Sequence, residues 1–202
     1  MLVRRPVLFL FFVASCAVLG IAGSSPALAQ PKPTSPRLMV VISVDQFCQD
    51  YLIRFQDNFP AEASESLFRN VLNNGAWYPN CHHAHAITIT APGHSVQLTG
   101  TYPGSTGIIE NEWFDRATGK VRYCCTDTDV EVVGIPTGKP MSPRQLLVGT
   151  VGDQMKLANG ASKVFGAAIK DRAAILMTGH KADGAYWMEK NQWVTSTYYR
   201  KD

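Results

Sequence analysis

The chain has 202 residues, of which 46% are hydrophobic and 17% charged. That balance excludes a disordered chain, and the length is enough for one domain, or a small pair, with a real core. Lys and Arg number 19 against 16 Asp and Glu, a net charge of +3 that gives no case for a nucleic-acid partner. Heptads, tandem repeats and low-complexity tracts are absent, which excludes coiled coils and solenoids.

Arg4 and Arg5 precede an apolar run from Val7 to Ala22, and small residues close it at Ala27-Leu28-Ala29. A basic head, an apolar middle and small residues at the cleavage site predict a secretory signal peptide over residues 1–29. A lipoprotein box at Val13-Ala14-Ser15-Cys16, a short membrane anchor and twin-Arg export are the alternatives. The run is shorter than the roughly 20 residues that span a bilayer, so no stable membrane insertion is expected after cleavage. The expected location is the periplasm or the exterior. Removing Cys16 leaves Cys48, Cys81, Cys124 and Cys125, an even set that predicts two disulfides in an oxidising compartment. Adjacent Cys124 and Cys125 are expected to bond outward, and free buried thiols are the alternative.

Residues 30–37 hold three prolines and read as an extended linker. Leu38 to Val44 is a nearly continuous apolar, β-branched run, which suits a strand buried on both faces of a parallel sheet. It ends in Asp45, where open α/β sheets place their sites. Asp45 reads either as a hard oxygen ligand for a metal or as a helix N-cap. Leu67, Phe68, Val71 and Leu72 predict a helix within 60–74, stopped by Gly75. Trp77 to Asn80 reads as a short strand. Residues 91–98 predict a helix with Pro92 in its first turn, and 101–111 a Gly/Pro loop. Residues 113–125 form a hairpin turning at Ala117-Thr118-Gly119. A helix over 148–157, a strand over 163–169 broken by Gly166, a further element from Ala173 and an aromatic-rich segment over 185–199 complete the chain. Alternation of strands and helices gives the α/β class.

Thr90 stands at the head of the Pro92 helix, where backbone N–H groups and the helix dipole favour an anion, phosphate above all. Its hydroxyl is either a helix cap or a nucleophile facing a phosphoryl group. As a nucleophile it would need a metal to lower its pKa, and Asp45 could share that metal. Lys170 and Arg172 follow the strand ending at Ile169 and read as a clamp on phosphoryl oxygens or as a solvated turn. Asn111 is an amide donor or a turn former. His83 and His85 share a face if extended, and with His82 they suit a pocket rim or surface better than a metal site. His94, one turn after Thr90, reads as packing or hydrogen-bonding support, and His180 has no identifiable partner.

Taken together, Val44-Asp45-Gln46, Thr90-Ala91-Pro92-Gly93-His94-Ser95 and the run from Leu98 to Asn111 resemble the N-terminal part of the alkaline phosphatase superfamily. The likeness is to its threonine-nucleophile branch, which includes nucleotide pyrophosphatase/phosphodiesterases. Residues 168–176 with Gly179-His180 are similar to the phosphate-irrepressible alkaline phosphatases of bacterial periplasms. The resemblance covers 38–202 and implies a three-layer α/β sandwich with a mostly parallel central sheet. It implies zinc as cofactor, two ions in the complete site, with Asp45 and Thr90 among the ligands. Thr90 becomes the nucleophile of a phospho-threonine intermediate, and Asn111 a donor to a phosphoryl oxygen. Lys170 and Arg172 become the clamp for a phosphate monoester dianion. A phosphodiesterase or nucleotide pyrophosphatase of the same superfamily, or a non-catalytic phosphate-binding protein, is the alternative.

The family draws its remaining zinc ligands from an Asp-x3-His pair, an Asp-His dipeptide and a lone His. The first two patterns are absent here; Asp183, for one, has Trp187 four residues on. The expectation is therefore a truncated, N-terminal portion of the fold, with a C-terminal half as a possible missing partner and little hydrolysis by the chain alone.

Overall fold

The structure, a computed structural model, describes residues 36–62 and 64–200. The signal peptide and most of the Pro-rich linker lie outside the described residues. The chain divides into two units, Met1–Val41 and Ile42–Asp202.

In the first unit, residues 36–41 carry no regular secondary structure, and Leu38 is 79% exposed. In the second, Ile42 is 62% exposed and residues 42–44 form no strand either. The expected buried strand over 38–44 is therefore corrected. A strand covered on both faces needs neighbours on both edges, and none of the described residues pairs with this run.

Two short pieces follow, α1 (Tyr51–Arg54) and a 3-10 turn (Gln56–Asn58). Then comes α2 (Leu67–Asn74), whose Ser66 side chain caps the Arg69 N–H at 3.2 Å. The helix starts later than Pro60 because the preceding chain is held from the side. Arg69 donates to the carbonyls of Gln56, Phe59 and Pro60, and Phe68 stacks on Phe47 with centroids 5.3 Å apart. Its apolar face stays partly open, with Leu67 and Val71 exposed. Trp77 to Asn80 forms no strand, a second correction with the same cause: no described segment offers it a ladder.

The ordered core begins at α3 (Thr90–Thr99), closed by Gly100 in the left-handed conformation that favours glycine. The Gly/Pro loop holds one turn of helix, α4 (Pro103–Thr106). Strands β1 (Glu112–Asp115) and β2 (Lys120–Tyr123) form the expected antiparallel hairpin. After β3 (Val132–Val133) comes α5 (Val151–Ala158), opened by a capping box in which Thr150 and Asp153 exchange hydrogen bonds. Then follow β4 (Phe165–Ala168), α6 (Asp171–Thr178), β5 (Gly184–Glu189) and β6 (Gln192–Ser196).

The four-stranded sheet runs β3-β6-β5-β4, with β4 and β5 parallel and the other pairs antiparallel. A parallel pair needs a crossover, and α6 supplies it. Ile175, Leu176, Trp187 and Val194 form the core beneath α6, which also packs against α3. Gly166 does not break β4; it lets α6 approach, since a Cβ there would collide with Thr178 Cγ2.

The disulfide expectation is also corrected. Cys48, Cys81, Cys124 and Cys125 are free. Cys124 and Cys125 are fully buried with their sulfurs 3.9 Å apart, well beyond the roughly 2.05 Å of a bond, whereas Cys48 and Cys81 are exposed. Core thiols cannot reach surface ones without unpacking.

Asp183 ties α5 to β4 by accepting from Lys156 Nζ at 2.8 Å, Lys163 Nζ at 3.2 Å and the Val164 N–H. Burial pulls its carboxyl up, but these hydrogen bonds and the Lys156 charge outweigh it and hold the pKa at about 2. A depressed carboxylate stabilises the fold above its ordinary pKa and loses that contribution as pH falls through the folded value. Thermal melts should therefore show wild type above Asp183→Asn at neutral pH, the gap closing between about pH 4 and pH 2. A gap independent of pH would mean that the carboxylate's charge contributes nothing.

Candidate active site

Thr90 is the first residue of α3, and Ile89 is its cap. The Thr90 hydroxyl makes no capping bond; it donates to Asp45 Oδ2 at 3.1 Å. Nor does Asp45 open a helix: it occupies a turn, and Gln46 after it has φ 62°, a strained value for a non-glycine residue. Both cap readings are set aside in favour of a direct contact across 45 residues of sequence.

The same Asp45 oxygen receives Lys170 Nζ at 3.2 Å. Lys170 stands between the end of β4 and the first turn of α6, at the carboxyl end of a parallel strand. Asp45 Oδ2 thus joins a hydroxyl and an ammonium from two distant segments. Burial raises the Asp45 carboxyl, but hydrogen bonds from Lys170 and Thr90, then the charges of Lys170 and His94, hold it below the ordinary carboxylate value. It is an anion at neutral pH.

Asn111 lies beside Thr90. Its Oδ1 accepts the Ala91 N–H at 2.9 Å, which fixes the amide and leaves the NH2 end without a hydrogen-bond partner among the described residues. His94 is 5% exposed, and its Nδ1 pairs with the Thr90 carbonyl at 2.8 Å, the supporting role expected of it. The His83 and His85 rings meet edge to face at 5.0 Å. Burial, then the charges of His85 and His94, lower the His83 pKa. Among the described residues no group of three or more His, Cys, Asp or Glu side chains is placed to hold a metal.

Arg172 was expected beside Lys170, but its surroundings were not. Its Nη1 donates to the Tyr123 hydroxyl at 2.7 Å, and that hydroxyl donates to Asp171 Oδ1 at 2.9 Å. Burial raises the Asp171 carboxyl despite the bonds from Tyr123 and the Arg172 backbone. Burial and the nearby Asp171 charge push the Tyr123 phenol well above its ordinary value. Tyr123 carried no signal in the sequence beyond its place at the end of a hairpin strand. Its partners lie 48 and 49 residues away, so only the folded chain brings them together.

Asp45 and Thr90 are two oxygen donors of the kind zinc accepts. A structural or catalytic zinc takes about three or four protein donors. The described residues therefore do not hold zinc by themselves. What the arrangement offers chemically is a hydroxyl beside a carboxylate, an oriented amide and a cation pair at the end of a strand.

The sequence profile of the type I phosphodiesterase / nucleotide pyrophosphatase family matches residues 39–202. Alkaline phosphatase PafA of Elizabethkingia meningoseptica is 40% identical over 190 residues, covering 92% of this chain and 34% of that protein. A protein named calcium-transporting ATPase from Myroides odoratus is 45% identical over 180 residues, covering 87% of this chain and 32% of its own. The wild-type PafA crystal structure superposes with a TM-score of 0.73 at 40% identity, over 78% of this chain and 31% of that one. A PafA variant with one threonine-to-serine change and alanines for an asparagine, a lysine and an arginine gives 0.74 at 38% identity, over 79% and 31%. The chain spans about a third of the length of the curated relatives it matches.

Proposed function

Because the chain belongs to the type I phosphodiesterase / nucleotide pyrophosphatase family and shares the fold of PafA, we propose that it carries the nucleophile and phosphate clamp of an exported phosphomonoesterase. The protein is a hydrolase of the alkaline phosphatase and phosphodiesterase superfamily. The finer reading rests on one observation: Thr90 and Lys170 converge on a single Asp45 oxygen, with Asn111 fixed to the residue after Thr90.

In this reading the Thr90 hydroxyl gives up its proton and its oxygen bonds to phosphorus as the phosphorus–ester oxygen bond breaks. The leaving oxygen takes up a proton and departs as the alcohol, and water then cleaves the phospho-threonine, releasing inorganic phosphate and restoring the Thr90 hydroxyl. Asp45, already the acceptor of the Thr90 hydrogen, holds the attacking oxygen in one direction. The free NH2 of Asn111 donates to a non-bridging oxygen. Lys170 and Arg172, preorganised donors of the kind that stabilise a transferring phosphoryl group, balance the charge of the remaining oxygens. The zinc dependence implied by the resemblance requires donors beyond Asp45 and Thr90. Export to the periplasm or exterior rests on residues 1–29.

The spacing of the four substitutions in the PafA variant supports these assignments. Threonine and asparagine are 21 apart, and lysine and arginine 2 apart, as are Thr90 with Asn111 and Lys170 with Arg172 here.

The family's name favours a second reading, a diesterase or pyrophosphatase. A diester carries a second substituent where a monoester carries charge, so a cationic clamp separates the two. In the protein carrying this segment, Lys170→Ala should lower the rate on p-nitrophenyl phosphate roughly 10²-fold while changing bis-p-nitrophenyl phosphate far less. Equal losses on both substrates, or a wild type that prefers the diester, would favour the second reading.

A further inference from the structure

A guanidinium clamps a phosphoryl group only if it is aimed, and Arg172 has a competing partner in its own neighbour. The direct approach of Arg172 Nη1 to Asp171 Oδ1 is long, 3.9 Å, because the Tyr123 hydroxyl lies between them. Arg172 Nε and Asp171 Oδ2 are both buried without a hydrogen-bond partner in the described structure. Closing on each other as a bidentate pair would satisfy both atoms, since guanidinium and carboxylate match as fork to fork. The hydroxyl prevents that by taking one bond from each side.

The Tyr123 ring also lies under the guanidinium, 5.8 Å from ring centre to carbon. The strand end that carries the ring is held in turn. Gln145 Nε2 donates to the Tyr123 carbonyl at 2.7 Å, and the next N–H, of Cys124, donates to the Asn111 carbonyl at 2.9 Å. The last residue of β2 therefore holds the Arg172 side chain, and the residue after it holds the Asn111 backbone.

Resting on the function proposed above, we infer that Tyr123 is a positioning residue for the phosphoryl clamp. Its hydroxyl holds Arg172 apart from Asp171 and so sets the direction in which the guanidinium faces the phosphate. Without it Arg172 turns onto Asp171, and the site loses one cation without losing any residue that touches substrate.

The test measures inorganic phosphate binding by calorimetry for the full chain, Tyr123→Phe, Arg172→Ala and the double variant. Tyr123→Phe should weaken binding roughly tenfold, as for one hydrogen bond to a charged group. The loss should vanish in the Arg172→Ala background, since the tyrosine acts through the arginine. Unchanged affinity in Tyr123→Phe, or the same loss in both backgrounds, overturns the inference. Should Tyr123→Phe not fold, Asp171→Asn serves, because it weakens the competing partner and keeps the hydroxyl. That variant must bind phosphate at least as well as wild type, and a loss as large as that of Arg172→Ala overturns the inference.

If the wild-type chain binds no phosphate, the proposed function fails separately, and nitrogen-15 NMR of the Arg172 guanidinium decides the positioning role. Restricted rotation in the wild type that is released or redirected in Tyr123→Phe supports it. Identical signals overturn it.

Discussion

Thr90→Ala is expected to abolish ester hydrolysis by the protein that carries this segment, by at least about 10⁴-fold, the scale on which removal of a covalent nucleophile acts. The effect should fall on kcat and kcat/KM alike, because Lys170, Arg172 and Asn111 remain to bind the phosphate. Thr90→Ser keeps an oxygen at the same atom and should retain much of the rate. Stability should change little in either variant, since the Thr90 hydroxyl makes one bond, to a half-exposed Asp45 side chain. An alanine variant that folds and turns over within tenfold of wild type would remove the argument for a covalent role.

The second large effect concerns the support of the site. Gly179 ends α6 at φ +84°, and a Cβ there would collide with both Asp153 Oδ2 and Thr150 Oγ1. Those two side chains form the capping box of α5, and the Asp153 carboxylate also accepts the Lys181 N–H at 2.6 Å. A methyl group would collide with a buried, fully used polar pair and hold an L-residue at φ +84°, ψ −158°, a region open essentially to glycine alone. Gly179→Ala should therefore cost about 2–4 kcal/mol, lowering the melting temperature by roughly 5–15 °C. Gly100→Ala is the control. Its φ +68°, ψ 19° is the left-handed helical well that an L-residue can enter, and nothing lies within 4 Å of the added carbon, so a milder backbone cost of about 1 kcal/mol remains, with neither the collision nor the harsher backbone of Gly179. Equal shifts for the two variants would show that the collision at Gly179 is relieved elsewhere.

How far these features could be read from the sequence depends on how local their signal is. The Thr90 helix with Pro92 in its first turn, the hairpin around Gly119 and the strand before Lys170 are set by nearby residues, and all three occur in the fold. Asp45 and Thr90 were named from separate segments, and the structure brings them to 3.1 Å. Residues 38–44 misled for a physical reason. An apolar β-branched run encodes the capacity to be buried, while a strand also needs partners that no described residue supplies. The cysteines misled differently, because an oxidising compartment allows disulfides but only geometry decides them, and Cys124 and Cys125 are sealed in the core. Tyr123 and the role of Asp171 were invisible because their meaning lies in a contact made across the fold.

The proposed hydrolysis depends most on the Thr90 hydroxyl oxygen as the atom that takes the phosphoryl group. The most direct measurement is to mix the protein with p-nitrophenyl phosphate, quench in acid and map phosphopeptides by mass spectrometry. The account predicts phosphate on the peptide containing Thr90, and none on that peptide in Thr90→Ala. Turnover with no covalent phosphate, or phosphate held on another residue, would contradict it.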